Sequence, residues 1–137
     1  MWWIYALLSA VFAALTAILA KVGIKGINSD LATAIRTCFI LIIAWMIVLT
    51  RKELNGIWSL SKTNWIFLAL SGIATGLSWI FYFKALQIGQ VSQVAPVDKL
   101  SVAIAIVLSF VFLGEPLTLK TSLGAGLIVA GTIVLIL

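Results

Sequence analysis

The residues able to do chemistry are few. The chain has no His, one Cys (Cys38) and four carboxylates, Asp30, Glu53, Asp98 and Glu115, far apart in sequence. With no His there is no His-based nucleophile–base pair, and one Cys supplies neither an internal disulfide nor a His/Cys metal site. We therefore expect no enzyme, metal or cofactor. What stands out is charge inside apolar sequence: Arg36, and the neighbours Asp98 and Lys99. Charge at membrane depth marks an ion or substrate path by default. Its plainer alternative is a structural ion pair, Arg36 with Asp98, that fixes helix register. Ser71, Thr75, Ser78 and Tyr82 recur at i, i+4, i+7 and i+11, with Trp79 beside them. That spacing puts a polar stripe along one helix face, lining a cavity or bonding a neighbouring helix.

The elements that must position these residues follow from composition. Of 137 residues, 64% are hydrophobic and 9% charged, against roughly 45–50% and 25% in globular chains. This excludes a soluble domain, a disordered chain and a nucleic-acid-binding domain. The net charge of +5 comes from basic residues dispersed at the ends of apolar runs, as topology-setting charges are. The runs predict five transmembrane helices in one all-α domain over 1–137, at about 2–20, 31–49, 65–86, 92–113 and 118–137, each near the roughly 20 residues a bilayer requires. Met1-Trp2-Trp3-Ile4-Tyr5 has no basic n-region and no small-residue cleavage site, so the first run is expected to be retained as a helix. Trp2, Trp3, Tyr5, Trp58 and Trp65 then form an interfacial aromatic belt.

Insertion energetics separate the two charged helices. The second run holds ten Leu, Ile, Val or Phe residues, worth about −3 to −6 kcal/mol, which outweighs one off-centre Arg. The fourth holds twelve, about −4 to −7 kcal/mol against up to about +6 for two charges. Asp98 or Lys99 is therefore expected to have a partner or a wet cavity. Lys21, Arg36, Lys84 and Lys99 make that end of the bundle positive, which suggests an anionic solute. Asp98 is the one acidic residue placed to carry a proton. Small residues at packing intervals (Ser9, Ala13, Ala17; Gly72, Gly76; Ser122, Gly126, Ala130) predict close helix approach, within the chain or between copies.

Loop charges are nearly balanced: Arg51, Lys52, Lys62 and Lys120 on the N-terminal side, and Lys21, Lys25 and Lys84 on the other. This predicts dual topology, with copies inserted both ways. Five helices are few to enclose a solute path, and five is odd. A fused second copy would enter inverted, the arrangement of many transporters. An antiparallel homodimer in the lipid bilayer is the expectation.

The stretches Ala85-Leu86-Gln87-Ile88-Gly89-Gln90-Val91-Ser92-Gln93-Val94-Ala95-Pro96-Val97 and Phe112-Leu113-Gly114-Glu115-Pro116-Leu117-Thr118, followed by Gly124-Ala125-Gly126-Leu127 and Ala130-Gly131, resemble the EamA domain of the drug/metabolite transporter superfamily. The resemblance covers essentially the whole chain as one five-helix repeat. It implies half of an inverted-repeat, ten-helix architecture, with the solute path between repeats and export of amino acids, metabolites or drugs. In scale the chain is also similar to small multidrug resistance transporters, but its first helix lacks the embedded glutamate they use for proton exchange. A small secondary transporter in a prokaryotic inner membrane is thus expected, moving a small metabolite or drug-like solute as a homodimer by alternating access. A lipid or lipid-phosphate flippase and a non-transporting interaction subunit are the alternatives. Candidate path residues are Arg36, Asp98, Lys99, Ser71, Thr75, Ser78, Trp79, Tyr82 and Lys84.

Overall fold

A bilayer offers no partner to a bare peptide group, so a spanning backbone must close its own hydrogen bonds as helices. The computed structural model, which describes residues 1–137, has helices and no strand. They are α1 (Trp2–Gly23), α2 (Ser29–Thr50), a 3₁₀ turn (Leu54–Ser59), α3 (Lys62–Ile88), α4 (Val91–Asp98), α5 (Leu100–Leu108), a π turn (Ser109–Leu113) and α6 (Leu119–Ile136). α1, α2, α3 and α6 are each long and apolar enough to cross a membrane, and Val91–Leu113 together makes a fifth such span. The protein is an all-α, multi-pass integral membrane protein.

The ends carry their own signals. Asn28 caps α2, its side chain accepting from the N–H groups of Asp30 (2.7 Å) and Leu31 (3.3 Å). Thr118 caps α6 in a reciprocal box with Thr121. Gly114, at φ 67°, closes the π turn in the left-handed region, which costs glycine nothing. Just past the end of α2, Lys52 is a non-glycine residue at φ 56°.

The fourth span is not continuous. α4 starts at Val91, so Pro96 lies in its second turn. There its missing N–H leaves the Ser92 carbonyl without its helical donor. Three residues later the helix breaks. Lys99 N–H reaches both Ala95 O (3.3 Å) and Pro96 O (3.0 Å), and Val102 N–H bonds Lys99 O at 3.0 Å. The bonds to Pro96 O and Lys99 O are 3₁₀-like, while that to Ala95 O keeps the α-helical spacing.

The chain divides into two units, Met1–Ile18 with Ile88–Leu137, and Leu19–Gln87. In the first, α4 and α5 pack against α6. The buried Thr132 hydroxyl donates to Pro96 O (3.2 Å) and to Ile128 O (2.8 Å). In the second, Phe83 and Leu86 are the fully buried side chains. Lys21 Nζ donates to Leu86 O, and Gln87 Nε2 donates to Ile27 O at 2.7 Å. Seven of the nine basic residues lie in Leu19–Gln87, with Asp30 and Glu53 as its only carboxylates.

Candidate functional site

Within Leu19–Gln87, α2 carries Arg36 and α3 carries the rings that hold it. Trp79 and Phe83 are four residues apart and so share a face of α3. The Arg36 guanidinium carbon lies 4.3 Å from the Phe83 ring centroid and 5.1 Å from that of Trp79. Both are cation–π distances. Tyr82 meets Phe83 edge-on, with centroids 5.5 Å apart and planes at 73°. The rings lie against the guanidinium and offer its N–H groups no hydrogen-bond acceptor, and Arg36 Nη1 is buried with no acceptor. Nearby hydroxyls are engaged with their own helix: Thr33 donates to Ser29 O and Thr37 to Thr33 O, both at 2.8 Å. With α2 starting at Ser29, Arg36 lies about 10 Å along it, slightly deeper than a start at residue 31 implies.

Further along α3, Ser71, Thr75 and Ser78 are exposed, and Trp79 and Tyr82 half-buried. Thr75 donates to Ser71 O at 2.8 Å, so one hydroxyl of the stripe is satisfied within its own helix. Gly72 and Gly76 fall on the Trp79–Phe83 side of α3 by helical spacing. A Cβ built on either meets nothing within 4 Å, and the same holds at Gly124, Gly126 and Gly131. The close approach expected at these glycines within the chain is absent. Lys84 is exposed near the C-terminal end of α3.

In the other unit, Asp98 and Lys99 stand at the break between α4 and α5. Their ion pair spans 3.3 Å, with the Lys99 side chain 57% and that of Asp98 34% accessible. Asp98 thus finds its partner in the adjacent residue. Neighbouring like this is undemanding of geometry, and an exposed pair contributes little stability.

Sequence reasoning found Arg36 and Trp79 separately but missed Phe83, whose i+4 spacing from Trp79 was the available signal. It also read Leu54–Ser59 as plain loop. There the 3₁₀ turn borders an open, mainly apolar groove lined by Trp45, Val48, Glu53, Gly56, Ile57 and Leu60. Trp2, Trp3, Tyr5, Trp58 and Trp65 are all exposed at element ends or in the 3₁₀ turn, as interfacial anchors are.

Five apolar spans define a multi-pass integral membrane protein. Over residues 1–137 the chain matches the EamA model, that of the EamA-like transporter family, and it belongs to that family. It is 48% identical over 134 residues to a Sinorhizobium sp. protein named "Uncharacterized transporter in cobO 3'region", covering 98% of this chain and 95% of that one. It is 31% identical over 129 residues to "Uncharacterized transporter YxxF" of Bacillus subtilis (strain 168), covering 93% of this chain and 40% of that relative. The chain therefore spans about two fifths of the second relative's length and nearly all of the first. No solved structure matches it significantly. Family and relatives together support a transporter role.

Proposed function

We propose that the chain is a small secondary transporter that moves a small metabolite or drug-like solute across a bacterial inner membrane, working as an antiparallel homodimer by alternating access. One observation carries this reading. The polar face of α3, with Ser71, Thr75 and Ser78 exposed, lies on a helix fit to cross the bilayer, where hydroxyls have no partner in lipid but find one in a wet path or a second copy. The open sides of Gly72 and Gly76 leave room for a close neighbour beside it. Arg36, Trp79, Tyr82 and Lys84 in Leu19–Gln87, and Asp98 and Lys99 in the other unit, are the remaining candidate path residues. The coverage of the relatives agrees with a repeat unit: one holds little beyond this length and the other is well over twice as long.

The test uses odd helix number as a switch. Two copies fused directly must insert in opposite senses; two copies joined through one extra transmembrane helix must insert in the same sense. Vesicles carrying each fusion, or the native chain, are incubated with a bacterial metabolite extract, and accumulated solutes are compared by mass spectrometry with empty vesicles. The native chain and the direct fusion are expected to enrich the same solute, and the extra-helix fusion none. Enrichment by the parallel fusion alone overturns the antiparallel pair. No enrichment by any overturns the transporter reading.

A further inference from the structure

The second unit holds a cation with no anion. Arg36 is stacked on Trp79 and Phe83, at 5.1 and 4.3 Å, and its Nη1 is buried without an acceptor. The two carboxylates of Leu19–Gln87 do not supply one. Asp30 is six residues back on α2, about 120° around the helix from Arg36, and Glu53 lies beyond the far end of α2. The surrounding charge has the wrong sign to compensate: Lys21, Lys25 and Lys84 are in the same unit. An unpaired charge at membrane depth is costly, and an unmade hydrogen bond at a charged group costs more than one at a neutral group.

The manner of holding matters as much as the charge. Two rings hold the guanidinium carbon in place, and neither supplies an oxygen to the buried Nη1. A planar fork of donors matches the paired oxygens of a carboxylate or a phosphate, which a Lys ammonium does not. A residue whose task was only to carry charge to the interface would not need the two-ring cradle. Trp79 and Phe83 therefore serve as positioning residues for the fork.

We propose that Arg36 is an anion-binding anchor, and that the transported solute carries a carboxylate or phosphate group bound bidentately at the guanidinium edge. As a statement about the solute this rests on the transporter reading above; as a statement about binding it does not, and the two are tested apart.

The full chain in lipid nanodiscs is titrated with acetate and with inorganic phosphate against chloride at constant ionic strength, following tryptophan fluorescence. A saturable change is expected for at least one probe, and the tighter one identifies the group. Arg36→Lys keeps the charge but loses the fork, and is expected to weaken binding about tenfold. Arg36→Gln is expected to abolish it. Trp79→Phe should remove most of the fluorescence change while a competition measurement still detects binding. Lys120→Gln, a loss of charge in the other unit, should leave it unchanged. No saturable response in the native chain, or an equal one in Arg36→Gln, overturns the anchor. Anion binding that depends on Arg36, with no solute accumulated in vesicles, upholds the anchor and overturns only the transporter reading.

Discussion

Arg36 in α2 and Lys52, just beyond its end, show how differently a side chain and a backbone can be constrained. Arg36 is fixed through its guanidinium by rings of α3. Lys52 is fixed through its backbone: φ is 56°, its N–H bonds Leu49 O at 3.1 Å, and the next N–H, of Glu53, bonds Val48 O at 3.1 Å. This is how helices end on a left-handed residue, a position usually given to glycine. A residue with a Cβ pays about 1 kcal/mol there. Lys52→Gly is therefore expected to stabilise the protein by about 1 kcal/mol, read as a higher unfolding temperature in detergent. A lower temperature would show that the Lys52 side chain contributes more than its backbone costs.

At the scale of the elements, the informative one is the divided fourth span. Pro96 removes a helical donor in the second turn of α4, and the chain re-forms a helix at Leu100 only after the tightened loops at Lys99. The buried Thr132 of α6 bonds the Pro96 carbonyl from outside, so the weakened stretch is held by its neighbour. Pro96→Ala restores the N–H to Ser92 O. It is expected to join α4 to α5 and to slow amide hydrogen exchange at Lys99–Val102 by about tenfold, for roughly one regained hydrogen bond. Unchanged exchange would place the cause of the break elsewhere. Much of the fold is legible because its signals are local: apolar runs of bilayer length, the Asn28 and Thr118 caps, and Gly114 after the last turn. The break is not. Pro96 itself is visible in the sequence, but whether the chain continues as a helix past it depends on packing such as the Thr132 contact. The Arg36 cradle escaped for another reason: an Arg at position 36 and a Phe at 83 become neighbours only through tertiary packing. The polar stripe of α3 was visible at once, because its spacing lies within a single helix.

For the whole molecule, charge decides how it enters the membrane. With Arg51, Lys52, Lys62 and Lys120 set against Lys21, Lys25 and Lys84, a change of two charges should tip the balance. Neutralising Arg51 and Lys52 together as Gln is expected to move a mixed population of C-terminal reporter fusions to one orientation. A native population already in one orientation would exclude insertion both ways. The division of the chain has a temporal side as well. Leu19–Gln87 is contiguous, and its long-range bonds, Lys21 to Leu86 O and Gln87 to Ile27 O, need nothing made after residue 87. The other unit joins Met1–Ile18 to Ile88–Leu137. Chains are synthesised from the N-terminus and assemble as their units emerge. So the arginine cradle can close while the ribosome is still working.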